Sequence, residues 1–191
     1  LNLPVYQPKS LKDPETHSLL EALAPDLFVV VAYGKILPKW VIGLPALGCI
    51  NLHGSLLPKY RGAAPVHWAI ANGESITGVC TMLIDEGLDT GPVFLCQATD
   101  VGAEETAVEL YGRLAVIGGD LMLQTLQGIQ MRTLSPRPQD HSQATMAPML
   151  TKEHGFIDWA MMARDIHNRV RAFNPWPGTV TRFRDATCKI L

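Results

Sequence analysis

The sequence holds no long hydrophobic run. Its longest is a few residues around 28–32, where a membrane-spanning helix needs about 20. No basic-then-apolar leader or Arg-rich amphipathic presequence opens it. Cys49, Cys80, Cys96 and Cys188 include no C-x-x-C pair, which points to neither a zinc site nor a small disulfide scaffold and makes a reducing compartment the simplest expectation. No G-x-G-x-x-G follows a strand-like segment, so a dinucleotide fingerprint is absent. Charge is also scarce: 18% of residues, with 16 basic against 18 acidic, and a net charge of −2. That balance argues against a protein that coats nucleic acid electrostatically.

What is present describes an ordinary globular chain. With 47% hydrophobic residues in 191, it is neither disordered nor collagen-like, and its length fits one domain or one domain plus part of another. Charge is unevenly spread: residues 151–191 carry 7 basic and 4 acidic side chains, the first 150 carry 9 and 14. A basic end on an acidic body can orient a polyanion, although charge alone favours a chance surplus. The chain opens without Met and stops at Lys189-Ile190-Leu191, the start of a strand-like alternation, so a fragment is expected.

Periodicity predicts a helix over 16–23, stopped by Ala24-Pro25, then a continuously apolar strand over 27–32 of the kind buried on both faces of a parallel sheet. A short helix over 38–42, a strand over 48–52 and a helix from Pro65 to Ala71 follow. Strands over 79–84 and 93–98 flank a loop, and 104–126 reads as one helix weakened at Gly118-Gly119. The alternation predicts an α/β fold with a mostly parallel sheet. Residues 133–151 are rich in Pro, Ser and Gln with little periodicity and read as a linker between a unit at 1–132 and a second, truncated unit at 152–191. The second unit contains a basic helix over 163–171 and a strand over 179–183. Met161-Met162 is expected to face a core, and His17, His141, His154 and His167 to be ordinary surface or packing residues.

Ligands of open α/β sheets bind at the carboxyl ends of strands. Asn51 and His53 stand where the second strand ends and, two positions apart, point to one side. An amide donor beside a titratable imidazole can stabilise an oxyanion, though by themselves the two read as a turn-capping Asn and a half-exposed His. Asp89, in Gly87-Leu88-Asp89-Thr90-Gly91, shifts that balance, because a carboxylate near an imidazole fixes its tautomer and favours its charge. The group lacks a Ser or Cys nucleophile and suits direct transfer of an activated carbonyl to an amine. An Asx-turn role for Asp89 stays open, as does substitution by Asp85 or Glu86. Leu56 and Leu57, on the loop from Ser55 to Gly62, are apolar residues of the kind a ligand or neighbouring element covers.

The stretches Ile50-Asn51-Leu52-His53-Gly54-Ser55-Leu56-Leu57-Pro58, Arg61-Gly62 and Asp85-Glu86-Gly87-Leu88-Asp89-Thr90-Gly91 resemble the 10-formyltetrahydrofolate-dependent formyltransferases. The resemblance implies a Rossmann-like formyltransferase domain with its first strands missing, then the start of a small OB-like β-barrel that helps bind tRNA. It implies that Asn51, His53 and Asp89 are catalytic. It implies that Ser55, Leu56, Leu57 and Pro58, with Tyr33, Gly34, Ile36 and Leu37, bind the folate. Gly48-Cys49-Ile50-Asn51, Arg61-Gly62-Ala63-Ala64-Pro65 and Asn174-Pro175-Trp176-Pro177-Gly178 resemble the branch that formylates the α-amino group of methionyl initiator tRNA for translation initiation. A donor of 10-formyltetrahydrofolate, no metal, no membrane, a monomer, and a bacterial cytoplasm or a mitochondrial matrix follow as expectations. Transfer to another acceptor, hydrolysis of the formyl donor, and an inactive folate- or tRNA-binding fragment remain the alternatives.

Overall fold

The computed structural model describes residues 2–191. Leu1, where the expected first unit begins, lies outside the described residues. Among them, four strands form one sheet in the order β1 (Phe28–Val31), β2 (Cys49–His53), β3 (Ile76–Leu83), β4 (Val93–Asp100). Helix α1 (Pro14–Ala22) precedes β1, α2 (Lys39–Ile42) lies between β1 and β2, and α3 (Pro65–Ala71) between β2 and β3. A long α4 (Ala107–Gln130) follows β4, and the chain closes with α5 (Ala163–Phe173) and the hairpin β5 (Thr179–Phe183)–β6 (Ala186–Ile190).

The α/β class predicted from the alternation holds, and within these residues the sheet is mixed. β1 and β2 are parallel, whereas β2–β3 and β3–β4 are antiparallel. The antiparallel pairing of β3 and β4 follows from the absence of a crossover helix between them; a loop over 84–92 joins them as a hairpin. β1 also departs from expectation: Val29 and Val31 are exposed, since among the described residues only one of its faces is covered.

α4 explains its own glycine. It is one uninterrupted helix, opened by a capping box in which the Thr106 hydroxyl accepts from Glu109 N–H and the Glu109 carboxylate accepts from Thr106 N–H. A Cβ at Gly118 would lie 2.5 Å from Leu52 Cδ2, so the predicted weak point is where the helix presses closest to β2. A second pin is polar: the Thr125 and Thr81 hydroxyls share a buried hydrogen bond of 2.8 Å.

The core is continuous from sheet to C-terminal helix. Val66 and Ile70 of α3, Val79 of β3 and Leu110, Leu114 and Leu121 of α4 share one cluster with Ala172 and Phe173 of α5. Trp68 meets Phe173 edge-to-face at 5.7 Å between ring centroids. Arg171 is buried, and its Nη1 donates to the carbonyls of Gly102 and Glu105 at 2.8 Å each, which ties α5 to the start of α4. Burial depresses its pKa, while Glu104 and Glu105 oppose that shift. Met162, predicted to face a core, is exposed at the start of α5. Cys80 and Cys96 form a cross-strand disulfide, which their spacing of 16 did not announce, because only the β3–β4 register brings them opposite each other. Cys49 and Cys188 are free.

At Gly78, an added Cβ would land on the Gln97 carbonyl and within 2.6 Å of Leu56 Cδ2. Gly78→Ala is expected to destabilise the fold by about 1–3 kcal/mol through overpacking, read as a lower urea midpoint with an unchanged slope.

Candidate active site

β2 divides its side chains between two tasks. Leu52 packs toward α4, while Asn51 and His53 share the opposite face. His53 is almost wholly buried, and its Nε2 lies 2.9 Å from the Tyr60 carbonyl oxygen. A carbonyl only accepts, so Nε2 carries a hydrogen and Nδ1 is the ring nitrogen left for chemistry. Nδ1 faces Asp89 Oδ2 at 3.7 Å, an ion-pair distance longer than a hydrogen bond.

The carbonyl that fixes the ring belongs to a turn in an unusual conformation. Tyr60 has φ +60, a left-handed backbone. The segment around 145–147 holds it there. Tyr60 N–H donates to Thr145 Oγ1 at 2.9 Å, Arg61 N–H to the Thr145 carbonyl at 2.9 Å, and Ala147 N–H to the Arg61 carbonyl at 2.7 Å. The Tyr60 phenol donates to Glu74 and accepts from Asn72. Burial raises its pKa to about 12.

Asp89 reaches the same place from the far side. The register sets Leu83 beside Ile50, so the loop leaves β3 next to the start of β2, and its carboxylate returns toward the end of β2. Asp89 also has a left-handed backbone, φ +52, which Asp tolerates better than most residues. Its Oδ2 accepts from Gly62 N–H at 2.8 Å, and Oδ1 makes no hydrogen bond among the described residues. Asp85, the open alternative, is engaged in the loop's own turn, accepting from Gly87 N–H and the Thr90 hydroxyl. Glu86 pairs with Lys39 at the exposed surface.

The remaining expected residues are spread along the rim. Ser55 is fully buried and its hydroxyl donates to the Lys59 carbonyl, a structural bond that closes the loop. Leu56, Leu57 and Pro58 are half-buried, with Leu56 lying against Gly78. Tyr33, Gly34, Ile36 and Leu37 follow β1, and because β1 and β2 are parallel they leave the sheet at the edge where His53 ends. Ile36 is 88% exposed and Tyr33 43%, and a Cβ at Gly34 would meet nothing within 4 Å. This open apolar lip fits a flat, partly apolar ligand.

Sequence reasoning missed Gln139 and the site contact of His141. Gln139 is buried between Arg61 and the Asp89 loop, and His141 Nδ1 accepts from Arg61 Nη2 at 3.0 Å. Both lie in the stretch read as a linker, which instead bridges Arg137 to Val93 and Met146 to Arg61. Of the basic side chains in the C-terminal stretch, Arg171 serves packing, while Arg164, Arg182, Arg184 and Lys189 face outward. Among the described residues no helix is long and apolar enough to cross a membrane.

The formyl transferase family model matches residues 2–126, and the model of the formyl transferase C-terminal domain matches residues 149–191. A methionyl-tRNA formyltransferase from Solibacter usitatus is 54% identical over 184 residues, 96% of this chain and 59% of that protein. One from Acetivibrio thermocellus is 49% identical over 99% of this chain and 61% of its own length. The chain thus spans about three fifths of the length of these relatives. Among solved structures, an N-formyltransferase from Helicobacter canadensis, in complex with folinic acid and dTDP-3-aminofucose, superposes with a TM-score of 0.63 at 26% identity. That match covers 71% of this chain and 51% of the other.

The buried Tyr60 phenol yields a sign-specific test. Its folded-state pKa of about 12 exceeds the unfolded value of about 10, so its contribution is fully present below pH 10 and is lost as pH rises toward 12. Tyr60→Phe is expected to cost about 1–2 kcal/mol at neutral pH, and urea unfolding should show that difference narrowing above pH 10.

Proposed function

This chain belongs to the formyl transferase family, and on that premise we propose that the protein it represents moves the formyl group of 10-formyltetrahydrofolate to the α-amino group of methionyl initiator tRNA. The observation that carries this reading is the approach of His53 Nδ1 to Asp89 Oδ2 at 3.7 Å, with Asn51 two residues earlier on the same strand face. Such a group needs no nucleophile of its own: the acceptor amine attacks the formyl carbon, and what the protein must supply is stabilisation of the oxygen charge that develops there.

Each residue takes the role its surroundings leave it. The Asn51 amide donates to the developing oxyanion. His53, held through Nε2 by the Tyr60 carbonyl, offers Nδ1–H to the same oxygen. Asp89 lies against the same ring nitrogen through Oδ2 and keeps the ring aligned, and its unbonded Oδ1 accepts the amine proton directly or through water. Collapse of the tetrahedral adduct then releases the folate nitrogen, which takes up the proton that Asp89 accepted from the amine. The lip formed by Tyr33, Gly34, Ile36 and Leu37, together with Leu56, Leu57 and Pro58, receives the folate, and buried Ser55 holds that loop closed. A folate-derived donor is supported by the family match, and the Helicobacter canadensis relative holds folinic acid.

The acceptor is supported by the relatives named for methionyl-tRNA and by the outward-facing Arg164, Arg182, Arg184 and Lys189. We place the catalytic unit at 1–132 and the tRNA-binding unit from 152 onward, in a monomer that works in the bacterial cytoplasm. The relative that holds an amino-sugar nucleotide makes a sugar acceptor the second reading.

Formylation of methionyl initiator tRNA, with dTDP-aminofucose as the competing acceptor, decides between these readings in a full-length protein containing this sequence. Asn51→Ala and His53→Ala are each expected to lower kcat by roughly 10²–10³ while folate affinity, measured by fluorescence titration, stays near wild type. Unchanged turnover would remove them from the mechanism. Replacing Arg182 and Arg184 by Ala should raise KM for tRNA and reduce the salt slope by about one unit for each phosphate the protein no longer neutralises. A slope identical to wild type would argue against phosphate recognition by these side chains.

A further inference from the structure

The site geometry hangs on a side chain from outside both catalytic loops. Gln139 is buried, and its amide is used at both ends. Oε1 accepts from Arg61 Nη2 at 2.6 Å and from Arg61 Nε at 3.1 Å. Nε2 donates to the Asp89 carbonyl at 2.9 Å and to the Gly91 carbonyl at 2.7 Å. A guanidinium only donates and a carbonyl only accepts, so the amide orientation is fixed by its partners. Asp89 is the loop's left-handed residue, and its carbonyl and that of Gly91 both turn toward this one donor group.

We propose that Gln139 is a positioning residue that sets the distance between the Asp89 carboxylate and His53. The connection runs through covalent neighbours. Gln139 grips the Asp89 backbone with one end and Arg61 with the other, and Arg61 follows the Tyr60 carbonyl that anchors His53 Nε2. The same chain segment fixes both partners a second time. Arg137 exchanges two backbone hydrogen bonds of 2.8 Å with Val93, at the loop's far end, and the Thr145 carbonyl and Ala147 N–H bond Arg61. The stretch between 137 and 147 is therefore a strap across both catalytic loops, with Gln139 as its buried key.

The inference rests on the proposed roles of His53 and Asp89, and its test separates the two. Gln139→Glu keeps an acceptor for Arg61 but sets carboxylate oxygens against the Asp89 and Gly91 carbonyls. Gln139→Met keeps the volume and removes both sets of hydrogen bonds. In a full-length protein containing this sequence, with melting temperature as the check on folding, both variants are expected to lower kcat on the order of 10²-fold. KM for the formyl donor should stay unchanged. In single-turnover assays, Gln139→Glu should add no more than about twofold to the loss already caused by Asp89→Asn. Wild-type kcat in Gln139→Glu and Gln139→Met overturns the proposal, and so does a loss that persists at full size in the Asp89→Asn background. Wild-type turnover of Asp89→Asn alone overturns the reading of the site itself, a different and recognisable result.

Discussion

The site depends first on one hydrogen bond from a ring to the main chain, that of His53 Nε2–H to the Tyr60 carbonyl. It decides which imidazole nitrogen is spent on the main chain, and so which one is left to face Asp89. The bond forms only because Tyr60 adopts a left-handed backbone, and that backbone persists because Thr145 and Ala147 hold the residues on either side of the peptide. The orientation of the ring is thus set by a turn, and the turn by a segment 85 residues further along the chain.

Electrostatically the arrangement is economical. A buried imidazole and a nearly buried carboxylate face each other without a formal hydrogen bond, so neither locks the other into a closed pair. The carboxylate's Oδ2 is instead steadied by a neutral donor, Gly62 N–H.

Much of this was legible from the residues alone, and what was legible had local causes. Short apolar runs, periodicity and Pro65 located β2, α3 and α4, although the helix expected from 104 begins only after the Thr106–Glu109 capping box. The rest came from long-range geometry. The apolar run of β1 predicted burial on two faces, but among the described residues Val29 and Val31 have nothing packed over them. Cys80 and Cys96 became partners through strand register, which spacing does not encode. Gln139 was invisible because polar residues among prolines look like solvent-exposed connection. Only the buried carbonyls of Asp89 and Gly91 reveal why an amide is needed there. Arg171 reads as surface charge in a basic helix and proves to be an internal clamp for the same kind of reason.

The shared core has a consequence for how such a protein can change over generations. Phe173 and Ala172 are packed as deeply among α3 and α4 as those helices' own side chains. A C-terminal segment seated that way is no exchangeable cassette. Recombination that imported a foreign tail without matching Trp68, Val66 and Leu110 would strip oil from the interior. Lineages would be free to vary the outward faces of α5 and its hairpin, but the seam itself should drift only by paired, compensating exchanges.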